Sequence, residues 1–334
     1  MSVDQWLRDI QSSLTSIADD REMRRAVVDR VRLAVPFDAF AWLLTDPQTT
    51  VGTAPLAEVP CQDRLPHLVA LRYTSGQRWS ATAAGVPYRP VQPGSELARF
   101  LAGYGSFDVL SISFADRFGC WGFLDLWRDG GRFTDEEAEL IQLLAAPVAT
   151  ALRASRASAF VPRQGAVQPA SWGQAVLLLG PDLVVRGQTS DAETDLRVLL
   201  PTEERLRPVP AAAYNVAAQL MAAEAGVDTH PPMARTFVAP GEWICVRAAR
   251  LEENIAVTIG PLEQQERWSL FCRCHGLSDR ETEVLSRLAE GGDTNALASQ
   301  LHLSNHTVQD HLKSVFAKTG VNSRRELLAR ARGR

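Results

Sequence analysis

Apolar positions recur along this chain with two different periods, and the switches between them divide it into segments. From about Val3 to Val35 the spacing is helical, and Pro36 closes the run. Ala39 to Leu44 reads as a strand ending at the Asp46-Pro47 turn. Val109 to Phe114 and Cys120 to Arg128 read as a hairpin across Ala115 to Gly119. Thr134-Asp135-Glu136-Glu137 has the form of a capping box, opening a helix predicted to reach about Arg156.

Ser158 to Ser171 is rich in Ala, Pro, Gly and Gln and loses all periodicity, as a linker does. Beyond it, Ala175 to Leu179 and Leu183 to Gln188 flank a Gly-Pro-Asp turn, and Ala211 to Glu224 is helical. Thr236 to Val238, Trp243 to Ala248 and Ile255 to Ile259 supply three further strands, the first two joined at Pro240-Gly241. Leu262 to His275 is predicted to be a connecting helix.

The last sixty residues carry the densest set of helix signals. Ser278-Asp279-Arg280-Glu281 is a capping box opening a run with Val284, Leu285 and Leu288 on one side, ended by Gly291-Gly292. Asp293 caps a second helix with Leu297, Ala298 and Leu301 inward. Ser304 caps a third that runs to about Thr319 and stops at Gly320. Ser323-Arg324-Arg325-Glu326 opens a fourth. The connection His302-Leu303-Ser304 has the length of a helix-turn-helix turn. Val308, Leu312 and Val315 cluster on one side of the third helix, and His306, Gln309, Asp310 and Lys313 lie away from it.

Charge supports a distinct role for this end. The 334-residue chain has a net charge of −4. From Leu277 onward nine Lys/Arg face seven Asp/Glu, and from Ser304 onward seven face two, whereas the preceding 276 residues hold 26 against 32. Positive charge gathered beside a helix-turn-helix favours a polyanionic partner. With 46% apolar and 22% charged residues, the chain can build globular cores. No apolar run approaches the 18 to 20 or so residues of a membrane helix, no secretion signal is visible, and a cytoplasmic location is expected. Cys61, Cys120, Cys245, Cys272 and Cys274 read as free thiols, and neither they nor the histidines have metal-ligand spacing. No metal or other cofactor is expected.

The stretch LSDRETEVLSRLAEGGDTNALASQLHLSNHTVQDHLKSVFAKTGVNSRRELL resembles the LuxR-type, or GerE-type, helix-turn-helix. Matching residues include Glu281, Val284, Gly291, Ala298, Ser304, Thr307, Val308, His311, Lys318, Gly320 and Arg324. The resemblance implies that the third helix enters the major groove of double-stranded DNA. The helical wheel then nominates Gln309, Asp310 and Lys313 to read base edges, and Ser304, Thr307 and Lys318 to hold the phosphate backbone. His311 reads equally as a residue that locks the helices together. One departure is Thr294-Asn295-Ala296, where the family commonly has Asn-Lys-Glu, so scaffold contacts to the backbone are expected to be weaker.

Upstream, WLLTDP, the hairpin and FTDEEAELIQLLAAPVATAL resemble a GAF domain, and the strand pair, helix and meander after the linker resemble a PAS-like fold. The expectation is thus a multidomain α+β chain. Its segments are a GAF-like sensory domain at 1–157, a linker at 158–171, a PAS-like domain at 172–261, a connecting helix at 262–275 and the all-α DNA-binding domain at 276–334. Strand alternation puts Trp121, Phe123, Asp125 and Trp127 on one face, with Trp42 available from the first strand. Such a row either lines a small-molecule pocket or is ordinary core.

The leading expectation is a non-enzymatic, dimeric transcriptional regulator on a pseudo-palindromic operator, with upstream domains that sense a small molecule or mediate dimerisation. Thr134 to Arg156 and Ser323 to Arg332 are the candidate dimer surfaces, the latter by resemblance. The alternative is control by a protein partner with no small-molecule ligand. A phosphorylated receiver lacks its lysine upstream, and neither a P-loop nor a nucleophile elbow is present.

Overall fold

The computed structural model describes residues 2–16, 19–161, 175–189, 211–239, 241–291 and 293–333. Most of the expected linker (from residue 162 on), Pro240 and Gly292 lie outside them. The chain divides into two compact units, one of residues 1–155, 170–238 and 244–261, the other of 156–169, 239–243 and 262–334. The result is an α+β architecture with two antiparallel sheets followed by an all-helical end.

In the first unit, helices α1 (Val3–Ser16) and α2 (Asp20–Ala34) separate at Asp19, whose carboxylate accepts from the amides of Arg21 and Glu22. The helical stretch read from the sequence is made of these two helices, because a cap of this kind starts a new one. Strands β1 (Ala39–Thr45), β2 (Gly52–Glu58), β3 (Phe107–Asp116) and β4 (Gly119–Asp129) form a sheet of order β2-β1-β4-β3. The hydrophobic pattern missed β2 and two short helices, α3 (Leu65–Thr74) and α4 (Glu96–Leu101). The capping box at Thr134 forms as read, but the predicted long helix is α5 (Asp135–Gln142) and α6 (Ala145–Ser158). Pro147 explains the break: it has no amide to donate, and its ring would strike the carbonyl four residues back.

Register decides which aromatic residues share a face. Leu43 lies opposite Phe123 and Ala41 opposite Asp125, but Trp42 lies opposite Leu124. One residue along a strand turns the side chain over. Trp42 is therefore on the other side of the sheet from Phe123, Asp125 and Trp127, which corrects its place in the expected row. It packs against Phe114 with ring centroids 5.3 Å apart. Trp121 falls at a bulge between the Phe114–Gly122 and Ala115–Cys120 pairs, and its indole donates to Asp116 at 3.0 Å.

The second sheet contains β5 (Ala175–Leu179), β6 (Val185–Gln188), β7 (Met233–Ala239), β8 (Glu242–Leu251) and β9 (Asn254–Pro261), in the order β6-β5-β9-β8-β7. Between β6 and β7 comes α7 (Ala211–Glu224), whose sequence AAAYNVAAQLMAAE is small and apolar nearly all round. A helix of that kind is buried on several sides. It packs on β9 of its own sheet and on β2 and α3 of the first.

Both sheets therefore share one apolar cluster, in which Tyr73, Trp79 and Phe123 meet Leu177, Val216 and Val257. Buried polar bonds join the same two halves. Arg235 holds Asp46 through two guanidinium bonds at 2.6 and 2.7 Å, with its own amide donating at 2.9 Å. Burial opposes the Asp46 charge, yet Arg235 outweighs it and keeps the carboxyl below its ordinary range. Asn215 donates to the Gly52 carbonyl at 2.9 Å, and Arg78 donates to Gln219 at 2.7 Å.

Candidate nucleic-acid interface

The second unit is built on α8 (Gln264–Cys274), α9 (Asp279–Glu290), α10 (Thr294–Leu301), α11 (Asn305–Thr319) and α12 (Arg324–Arg332). The four caps read from the sequence all form. Ser278, Asp293, Ser304 and Ser323 each accept from the amide three residues on. The box at Ser323 closes differently from the expected one, because Glu326 accepts from the amide of Asn322 at 3.2 Å. Val284, Leu285, Leu297, Val308, Val315 and Leu327 are fully buried; α9, α10 and α11 pack on one another, and α12 packs on α8. Burial of so many aliphatic side chains contributes about 1.5 to 3 kcal/mol each and outweighs any surface pair here.

The turn between α10 and α11 is tightly made. His302 adopts the left-handed conformation with φ at 53°, and the Leu303 amide donates back to Ala298 at 2.9 Å. Ser304 then starts α11. Its hydroxyl accepts from the Thr307 amide at 3.1 Å and bonds the Thr307 hydroxyl at 2.8 Å. Asn305 donates to Asn295 at 2.7 Å, and Arg324 donates to Thr294 at 2.7 Å. The positions that depart from the family pattern thus brace α10 against its neighbours.

The candidate reading residues are presented together. Gln309, Asp310 and Lys313 are all exposed on one side of α11. Asp310 lies 2.9 Å from His306 Nδ1 and 3.6 Å from Lys313 Nζ. Ser304 is exposed and Thr307 half-buried, both at the start of α11.

Lys318, expected to contact phosphate, stands apart in an ion pair within its own domain. Its ammonium donates to both oxygens of Glu281, at 2.6 and 2.9 Å. Glu281 also accepts from Ser314 and from the Ser278 amide, each at 2.6 Å. Burial works against this carboxylate, but Lys318, Ser314 and Ser278 together hold it at about 2. A lysine committed to a buried carboxylate in its own domain locks α11 to α9. Sequence reasoning could not see this pair, since its members are separated by 37 positions. It also overlooked Arg325, which is exposed and has no ion pair among the described residues.

Of the residues suggested for a small-molecule pocket, Phe123 and Trp127 belong to different apolar clusters. Phe123 is covered by Trp79, stacked at 4.0 Å and nearly parallel. Arg72 holds both oxygens of Asp125 at 3.0 and 3.1 Å, and Ser111 donates to one of them at 2.5 Å. Trp127 packs with Leu68, Leu71, Leu97 and Leu101 from α3 and α4.

The helical unit reaches beyond the helix-turn-helix. Phe160 stacks on Trp243 at 4.8 Å and meets Phe271 edge-on at 5.3 Å. Arg267 sits over the Phe160 ring and donates to the carbonyls of Gly241 and Arg330, each at 3.1 Å.

Residues 275–331 match the family described as bacterial regulatory proteins, luxR family. The chain is 41% identical over 54 residues to a monoamine regulon transcriptional regulator from Klebsiella aerogenes, covering 16% of this chain and 24% of that protein. It is 32% identical over 63 residues to the transcriptional regulatory protein DesR from Bacillus subtilis, covering 19% and 32%. The matches thus span a third or less of these relatives. Among solved structures, the GAF domain of a phosphoenolpyruvate-protein phosphotransferase from Coxiella burnetii aligns with 46% of this chain and 95% of its own, at 20% identity and a TM-score of 0.32.

Proposed function

We propose that this chain, whose residues 275–331 form a luxR-type helix-turn-helix domain, is a transcriptional regulator that binds duplex DNA through α11 in the major groove. The observation that carries the reading is the uncovered polar side of α11, where Gln309, Asp310 and Lys313 stand exposed on a helix whose opposite side is locked into the core. Ser304, Thr307 and the amides of the first turn are assigned to phosphate, together with Arg325. The protein binds as a homodimer on a pseudo-palindromic operator with half-sites about 10 base pairs apart, as paired helix-turn-helix units require. It works in the cytoplasm and has no enzymatic activity of its own.

Selection of bound sequences from a randomised duplex pool by the full-length protein tests this directly. An enriched pseudo-palindrome, bound far more tightly than its scrambled version and weakening steeply with salt, is the expected result. Equal binding to every duplex would overturn it.

For regulation, the filled space around Phe123 and Asp125 favours the reading without a small molecule on that face. Trp79 and Arg72 already supply the stacking and ionic partners that a ligand would need. The first unit then acts through dimer or partner contacts. Native mass spectrometry of the purified protein distinguishes the two, since a retained small molecule would sink this reading.

A further inference from the structure

His306 was not among the residues nominated to read bases, yet the geometry of α11 brings it forward. At roughly 100° per residue, the buried Val308, Leu312, Val315 and Thr319 define the inward direction of the helix. Asp310 points almost directly away from it, with His306 about 30° and Lys313 about 50° from that crest; Gln309 is roughly 90° away, on the flank. A helix laid in the major groove brings its crest to the base edges and its flanks to the walls. His306, Asp310 and Lys313 are then the residues that meet bases.

These three form a charged chain on the exposed side. His306 Nδ1 lies 2.9 Å from one Asp310 oxygen, and Lys313 Nζ lies 3.6 Å from the other. Exposed pairs of this kind add little to stability. Their effect is on orientation. A carboxylate only accepts, so an Nδ1–H turned toward Asp310 would leave the outward Nε2 as the acceptor.

We propose that His306 is a specificity-determining residue of α11, with Asp310 as the positioning residue that presents its Nε2 to an exocyclic amino group, adenine N6 or cytosine N4, on the major-groove edge. Lys313 is assigned to guanine O6 and N7, the acceptor pair that suits a lysine. Asp310 adds discrimination of a second kind, because its charge repels phosphate wherever His306 and Lys313 do not find their bases. This inference rests on the reading of α11 as the recognition helix.

The test is selection from a randomised duplex pool with the full-length protein, His306→Ala and Asp310→Asn, followed by affinities on the wild-type consensus and its single-base variants. The wild type is expected to enrich adenine or cytosine at one position per half-site. His306→Ala should lose about three- to tenfold discrimination there, the worth of one net hydrogen bond, and keep the guanine preference. Asp310→Asn should blur the same position while tightening binding to scrambled duplexes, because a negative charge has left the helix crest. Thermal melts of both variants should match the wild type. If the wild type selects a sequence and both variants select it unchanged, this inference falls and the helix-turn-helix reading stands. If the wild type enriches nothing, both fall together.

Discussion

Lys318 Nζ lies 2.6 and 2.9 Å from the two carboxylate oxygens of Glu281, joining the last turn of α11 to the first turn of α9. A cation near the end of a recognition helix invites assignment to phosphate, but here its charge is committed inside the domain.

Lys318→Met is therefore expected to destabilise the helical unit by about 2 kcal/mol, discounted for a lysine side chain that is 34% exposed. Lys313→Ala should leave stability unchanged and lower base discrimination. Urea melts and salt titrations of DNA binding, run on both variants, separate the roles. A Lys318 variant of normal stability whose salt slope drops by about one would restore the phosphate assignment.

The same pair sets an acid limit. The Glu281 carboxyl is held at about 2 in the folded protein against an ordinary value of 4.5. A depressed carboxylate contributes stability that is fully present above the unfolded value and is lost as pH falls toward the folded one. Melting of the helical unit should accordingly show no Glu281-dependent change above about pH 5 and weaken between about 4.5 and 2. Glu281→Gln, less stable at neutral pH, should flatten that loss. A variant whose acid profile parallels the wild type would contradict the assignment.

His302 closes α10 in the left-handed region, at φ 53°, where a β-carbon is unfavourable. His302→Gly is expected to stabilise the domain by about 0.5 to 1 kcal/mol, with DNA affinity unchanged, since the side chain belongs to the turn and not to the crest of α11. A lower melting temperature would show that the imidazole contributes more than the backbone strain costs.

Asp46 and Arg235 are both essentially without solvent exposure and lie 189 positions apart. Arg235→Met strands a buried carboxylate and should destabilise the first unit by about 3 to 5 kcal/mol. Adding Asp46→Leu to that change should restore much of the loss. Because α7 packs on both sheets, hydrogen exchange should show residues 39–58 and 211–224 losing protection together. Separate exchange of the two segments would mean that the halves fold independently.

The sequence was informative wherever structure follows from neighbours in the chain. The caps at Ser278, Asp293, Ser304, Ser323 and Thr134 could be read because a capping side chain bonds an amide three residues away. The β3–β4 hairpin could be read because alternation and a tight turn are local. Short pieces such as α3, α4 and β2 carry too few periods to register, and the proline in α6 divided a helix that capping alone had suggested was continuous.

By itself, then, the sequence determined the four-helix ending, its turn, and the polar side of α11, since helical periodicity and capping act over only a few residues. Tertiary structure alone decided that Lys318 faces Glu281, that Trp42 parts from Phe123 across the sheet, and that Trp79 stacks on Phe123. Each of these depends on strand register or on contacts between distant segments. Those are chosen by the burial of the whole core, and no local pattern encodes them.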